Sequence, residues 1–207
     1  MFSKPTPSIS AADITAVVLC GGKSTRMSGV DKGLIELDGK PMIAHTLEKL
    51  SPFFSRLVIS ANQNTARYGA LGYEVIRDET TDTGPLAGIL SAMRHVSTNY
   101  LLVSPCDTPL ITGEFSQRLI ETVSQSAGGA SAEIYVAHDG IHLQMLHALF
   151  DLTSGNLERS LENYLKNDRK VQIWYEQNQF IPVDCSDIAQ DFLNINTPES
   201  LIKITDK

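Results

Sequence analysis

The 207-residue chain alternates between two hydrophobic periods. Short, β-branched apolar runs of strand length occur at Ile14–Leu19, Arg56–Ala61, Tyr73–Ile76 and Tyr100–Ser104. Between them, apolar residues recur every third or fourth position. Ile43, Leu47 and Leu50 mark a helix opened by Pro41 and closed by Pro52, a weaker helical stretch reaches Gly72, and Leu90, Met93 and Val96 mark a helix opened by Pro85. Thr112 caps a further helix through Phe115, Leu119, Ile120 and Val123. Gly33–Leu37 reads as a short strand ending at the Asp38-Gly39 turn. Strand and helix in strict alternation predict a mainly parallel sheet, covered on both faces by right-handed crossovers.

The pattern changes after Gly129. Glu133–Ala137 and Leu143–Phe150 read as neighbouring strands joined at His138-Asp139-Gly140, and Leu157, Leu161 and Leu165 mark an amphipathic helix. Val171–Tyr175 reads as a strand, and Thr197-Pro198 opens a short terminal helix after Phe192–Asn196. The expected fold class is α/β: a Rossmann-like three-layer sandwich with a mainly parallel central sheet. An antiparallel extension in the C-terminal half forms a lobe over one end.

Length suits one α/β domain with a full core, and residues 1–13, with Pro5 and Pro7 among serines, read as a flexible tail lacking a signal-peptide core. No apolar run approaches membrane-spanning length. The formal charge of −7 argues against a nucleic-acid-coating surface. Cys20, Cys106 and Cys185 are odd in number and widely spaced, which gives neither a zinc nor a disulfide framework and points to a reducing, cytoplasmic compartment. The histidines show no H-E-x-x-H spacing, and no G-x-S-x-G elbow is present.

Against that acidic background, one loop gathers cations. After Leu19-Cys20 the chain reads Gly21-Gly22-Lys23, then Arg26, Gly29, Asp31, Lys32 and Gly33. Glycines let successive backbone N–H groups converge on an anion, and the cations add full charges to those partial ones. Asp31 is placed to orient Lys32. The loop reads as a polyphosphate holder of neither common kind. A Walker A motif needs glycine at Val17, and no G-x-G-x-x-G spacing starts at Gly21 or Gly22. Other polar features fall where parallel strands end: Ser60-Ala61-Asn62, Asp78, the Gly84–Gly88 turn, and Asp107 between Pro105 and Pro109. Gly88 costs its helix about 1 kcal/mol relative to alanine, which suggests close approach there. A single fixed carboxylate beside a polyphosphate suits Mg²⁺, which keeps several waters and takes one or two carboxylates. Such a set fits phosphoryl or nucleotidyl transfer, where positioning and charge neutralisation replace a protein nucleophile.

Leu19-Cys20-Gly21-Gly22-Lys23-Ser24-Thr25-Arg26-Met27 with Asp31-Lys32-Gly33-Leu34 resembles the signature of the molybdenum cofactor guanylyltransferases. Gly84–Gly88, Pro105–Pro109 and Asn194–Pro198 are similar to that family's later motifs, in the same order. The resemblance implies GTP, Mg²⁺ and a molybdopterin-type cofactor as ligands, and transfer of GMP onto the cofactor's terminal phosphate with release of pyrophosphate. It also implies encounters with cofactor-biosynthesis or molybdoenzyme-maturation proteins, and no nucleic-acid or membrane partner. Carried over, Leu19, Cys20, Gly21 and Gly22 touch the nucleotide and Lys32 binds it. Arg26 stabilises the leaving pyrophosphate, Ser60, Asn62 and Asp78 hold the nucleoside, and Asp107 holds the metal. Arg26, Lys32 and Asp107 form the catalytic set; Gly88, Asn194 and Asn196 face the acceptor. Residues 14–110 would then be the nucleotide half and 111–207 the acceptor half of one domain. Ser60 stands where the family commonly has Asn, which shifts base recognition toward Asn62 and the backbone, and Met145 stands where it commonly has Pro. A cytidylyl- or sugar-phosphate nucleotidyltransferase, or a non-catalytic nucleotide-binding module, would share the same loop.

Overall fold

The apolar run at Ile14 forms β1 (Ile14–Cys20), buried at every position. The computed structural model describes residues 9–21, 31–78, 84–126 and 132–195. After β1 come a small hairpin of β2 (Glu36–Leu37) and β3 (Lys40–Pro41), then α1 (Met42–Leu50), β4 (Arg56–Ala61), α2 (Thr65–Gly69) and β5 (Glu74–Ile76). The chain continues through α3 (Pro85–His95), β6 (Tyr100–Pro105), α4 (Glu114–Ser126), β7 (Ile134–His138) and β8 (Leu143–Asp151). It ends its described course with α5 (Asn156–Tyr164), α6 (Val171–Gln177), β9 (Phe180–Asp184) and a 3-10 segment at Ser186–Phe192.

Seven strands form one sheet in the order β5-β4-β1-β6-β8-β7-β9. β1 pairs in parallel with β4 on one side and β6 on the other. The chain winds outward from β1 to β4 to β5, then α3 carries it back across the sheet to β6. That reversal puts a topological switch point between β1 and β6, where a crevice opens at the carboxyl ends of open α/β sheets.

The two faces of β1 feed two cores. Ala16, Val18 and Cys20 pack with α1, Tyr68 and α4, whereas Val17 and Leu19 pack with α3, α5 and α6. α1 and α5 bury the stripes that their sequence periodicity marks, Ile43, Leu47 and Leu50 on α1 and Leu157 and Leu161 on α5. Helices on both faces of the sheet make the three-layer sandwich expected from the strand–helix alternation.

The second half extends the main sheet with antiparallel pairings, as expected: β8 runs against both β6 and β7, and β9 follows β7 in parallel. Several local expectations change. Val171–Tyr175 is helix rather than strand: Val171, Trp174 and Tyr175 share one helical face, Trp174 donates to Ser160 Oγ at 3.1 Å, and the Tyr175 hydroxyl donates to the Met145 carbonyl at 2.7 Å. The strand lies later, at β9, whose Pro182 is tolerated because β9 is an edge. Lys32–Leu34 is a 3-10 turn, so the predicted Gly33–Leu37 strand shrinks to β2. Asp38 (φ 49°) and Gly39 (φ 76°) then make the left-handed pair that two-residue hairpins favour. Ala11–Asp13, expected within the tail, is a 3-10 turn in which the Ser10 N–H and hydroxyl donate to Asp13. The terminal helix expected from Thr197 lies outside the described residues. Among those described, no helix is long and apolar enough to cross a membrane.

Phe150 is fully buried on β8, with the rings of Trp174 and Tyr175 centred 6.1 and 6.0 Å away. Phe150→Ala is expected to lower unfolding free energy by about 3–5 kcal/mol in urea titrations, and a loss below about 1 kcal/mol would contradict this packing.

Candidate functional site

The crevice between β1 and β6 is built from the two strand ends. The Cys106 N–H donates to the Leu19 carbonyl at 3.1 Å, so the backbone pairing runs past the last strand residue of β6. Leu19 and Cys20 bury their side chains, whereas Gly21 is exposed and a Cβ there would meet nothing within 4 Å. The strand end therefore offers backbone, with open space in front of it.

Asp107 follows directly and is half-buried. Its Oδ2 lies 3.6 Å from Lys32 Nζ, the two side chains being 20 and 27% exposed. Burial pushes the Asp107 carboxyl above the usual range, and the Lys32 ammonium opposes that without cancelling it. The sequence separated these residues by more than seventy positions, and the fold brings them together.

Lys32 is fixed by its neighbours. A Cβ on Gly33 would come 2.6 Å from the Tyr68 hydroxyl and 3.2 Å from Cys106 Sγ, so the turn needs glycine to pack this closely. Asp31 accepts from the Tyr68 hydroxyl at 2.6 Å and from Asn64 Nδ2 at 2.9 Å. Its carboxylate thus anchors the turn to α2 and the residue before it, and does not orient Lys32 as expected. Tyr68 and Asn64 were missed from the sequence because they sit in the weakest helical stretch.

A second group lies beside Leu19. Ser60 Oγ donates to Asp78 Oδ1 at 3.3 Å, Asn62 Nδ2 donates to Asp78 Oδ2 at 2.7 Å, and the Asp78 N–H donates to Asn62 Oδ1 at 2.9 Å. The β4 and β5 ends are thereby joined into one polar surface. A Cβ on Gly88 would lie 2.9 Å from Ser60 Oγ, 3.1 Å from Leu19 Cδ2 and 3.5 Å from Asp78 Oδ1. Gly88, expected toward the acceptor, thus packs among the residues expected to hold the nucleoside.

Asn194 is exposed, and the next residue ties its segment to the site: the Ile195 N–H donates to the Asp107 carbonyl at 2.9 Å. Ile195 itself is buried with Leu37 and Met42. Gly22, Arg26 and Asn196 lie outside the described residues. The sequence reading also missed two supports of the Asp107 turn. The Thr112 N–H donates at 2.8 Å to Asp191, a carboxylate only 2% exposed, and Thr108 Oγ1 lies 3.1 Å from His147 Nε2. Burial holds the His147 imidazole neutral, its pKa pushed down to about 3.

Among the described residues, no group of three or more His, Cys, Asp or Glu side chains could hold a metal ion. One carboxylate opposite a lysine, with exposed backbone at a switch point, places the molecule in the class of open α/β proteins that take a ligand at the carboxyl ends of their strands.

Comparisons agree with that class. The family described as "MobA-like NTP transferase domain" matches residues 16–181. A molybdenum cofactor guanylyltransferase of Shewanella sp. strain MR-4 is 40% identical over 188 residues, covering 90% of this chain and 92% of its own length. Its counterpart from Shewanella baltica strain OS155 is 40% identical over 191 residues, covering 91% and 94%. The crystal structure of molybdopterin-guanine dinucleotide biosynthesis protein A from Archaeoglobus fulgidus superposes with a TM-score of 0.73 at 25% identity, covering 93% of this chain and 97% of that one. The chain belongs to the MobA-like NTP transferase family.

Tyr68 is fully buried while Asp31 is half-buried. Tyr68→Phe removes a hydrogen bond to a carboxylate and is expected to cost about 1.5–3 kcal/mol in denaturant unfolding. Wild-type stability in Tyr68→Phe would show that the Asp31 anchor contributes nothing.

Proposed function

We propose that this protein transfers GMP from GTP to the terminal phosphate of molybdenum-bearing molybdopterin and releases pyrophosphate. The observation that carries the reading is the meeting of Lys32 and Asp107 at the switch point between β1 and β6. Relatives 40% identical across nine-tenths of the chain bear the guanylyltransferase name.

In this reading an oxygen of the acceptor's terminal phosphate attacks the α-phosphorus of GTP. A new P–O bond forms there as the bond to the β-phosphate's bridging oxygen breaks, and that electron pair leaves with pyrophosphate. The attacking phosphate is already ionised, so the protein needs neither nucleophile nor general base. The exposed Gly21 backbone and its neighbour Gly22 meet the phosphates, and Lys32 opposes the charge that builds on them. Arg26 is assigned to the departing pyrophosphate. Asp78, held by Asn62 and Ser60, presents carboxylate oxygens toward the nucleoside.

Nucleotidyltransferases of this kind use a divalent metal, and we assign it as Mg²⁺. The donor set fits: Asp107 is a hard oxygen ligand fixed in its turn beside Lys32. When bound, the ion would neutralise phosphate charge. The cytoplasm is the compartment we assign, in keeping with three free cysteines.

With purified protein, GTP, Mg²⁺ and the molybdenum-loaded acceptor, pyrophosphate release is expected to require GTP, and equal release with CTP would overturn the donor assignment. Lys32→Met and Asp107→Asn each remove a charge-assisted contact of about 1.5–3 kcal/mol, so each is expected to lower turnover about 10- to 150-fold. Turnover unchanged in either variant removes that residue from the site. Gly88→Ala crowds Ser60 and Leu19, and is expected to raise KM for GTP while leaving KM for the acceptor as it was. The opposite split would return Gly88 to the acceptor side.

A further inference from the structure

Behind the Asp107 turn stands a buried polar side chain that the chemistry above does not use. His147, near the middle of β8, is 2% exposed and lies between two aromatic rings, Phe115 at 5.4 Å and Phe192 at 5.0 Å, both edge-on. An aliphatic or phenyl side chain would fill such a cage without a polar atom to satisfy, and burying an imidazole has a desolvation cost unless it is hydrogen-bonded. Among the described residues, its side chain bonds to Thr108 Oγ1, at 3.1 Å. Thr108 is the residue after Asp107.

Thr108 Oγ1 also lies 3.4 Å from the Pro105 carbonyl, which can only accept. A neutral imidazole either donates Nε2–H to the Thr108 oxygen or accepts its hydrogen at Nε2, and both tautomers tie the Thr108 hydroxyl to His147. Burial keeps this imidazole neutral, so it carries one ring proton. The Thr108 hydroxyl thus closes the turn from Pro105 to Thr108 across Asp107, and His147 pins that closure to β8. On the other side, the Ile195 N–H holds the Asp107 carbonyl. Ile195 acts on the backbone from the C-terminal segment, whereas His147 acts through the side chain that follows Asp107.

We propose that His147 is a positioning residue for nucleotidyl transfer, its Nε2 acting through the Thr108 hydroxyl to hold Asp107 in the orientation that receives the nucleotide-bound divalent cation. This rests on the reading of Asp107 given above. It assigns a functional role to a residue that never touches substrate, and it explains why a buried position on β8 carries a polar side chain.

The test is calorimetric and needs no acceptor. GTP is titrated into full-length protein with Mn²⁺ and without any divalent ion, for wild type, His147→Leu, Thr108→Val, the double variant and His147→Gln, with melting temperatures recorded alongside. Partners that orient metal ligands typically change metal affinity about 10- to 100-fold. His147→Leu and Thr108→Val are each expected to weaken GTP binding at least about tenfold with Mn²⁺ and to leave metal-free binding unchanged. The double variant should be no weaker than either single one, and His147→Gln, whose amide can donate to or accept from the Thr108 hydroxyl, should recover most of the loss. Variants that melt earlier but keep wild-type Mn²⁺-dependent affinity would reduce His147 to a packing role, as would losses that multiply in the double variant. Should His147→Leu fail to fold, Thr108→Val decides by the same criterion. Wild-type protein that binds GTP no better with Mn²⁺ than without it would instead overturn the nucleotidyltransfer reading itself.

Discussion

Everything in this molecule depends on the parallel pairing of β1 with β6. Parallel strands cannot be joined by a tight turn, so the chain must leave β1, build β4 and β5 on one side, and cross back through α3 before β6 can form. The register then sets Leu19 opposite Pro105, and Cys106 extends the ladder through its bond to the Leu19 carbonyl. Gly21 and Asp107 leave adjacent strands at the same level. Residues far apart in sequence become the two sides of one crevice, and the Lys32–Asp107 contact spans it. A partly buried pair of this kind is costly to assemble for stability alone, because both charges lose water. In the function proposed above, its placement at the mouth of the sheet prepares for a polyanion and a cation.

The surroundings of the crevice are stiffened on each side by a different device. The Lys32 side is held by close packing, with Gly33 against Tyr68 and Cys106 and with Asp31 bonded to Tyr68 and Asn64. The Asp107 side is held by bonds reaching in from distant elements: His147 from β8, Asp191 from the 3-10 segment, and Ile195 from the C-terminal segment. Ile195 also packs with Leu37 and Met42, so the last described residue touches both the hairpin after Lys32 and the turn after β6. The second half of the chain therefore completes the sheet and also buttresses the first half's site. Catalysis by positioning demands such support, since a displacement of about 1 Å at the reacting groups can cost a hundredfold in rate.

Much of this was legible in the sequence. The strands at Ile14, Arg56 and Tyr100 are apolar on both faces, a pattern that only a doubly covered sheet explains, and Pro41 and Pro85 mark helix starts by simple sterics. The sheet's carboxyl edge could be inferred from strand order, and with it the grouping of Gly21, Ser60, Asp78 and Asp107. What the sequence did not yield depended on tertiary contact. Val171–Tyr175 is rich in residues that favour strands, but Trp174 and Tyr175 found partners on α5 and β8 that only a helix could reach. Pro182 hid β9, since its tolerance depends on the strand being an edge. Asp31 stands beside Lys32 in sequence, yet turns to Tyr68 and Asn64, and nothing local in the chain announces that choice. The supports of the Asp107 turn were likewise invisible, because Thr108, His147, Thr112 and Asp191 form their pairs across the fold.

A crystal of this protein grown with Mn²⁺ and a non-hydrolysable GTP analogue would examine the central claim at its root, through the anomalous signal of the metal. The account predicts a peak about 2.1–2.2 Å from an Asp107 carboxylate oxygen, as hard octahedral cations require, with analogue phosphates beside Gly21 and Lys32. A nucleotide found elsewhere on the molecule, or a metal peak beyond the reach of Asp107, would contradict it.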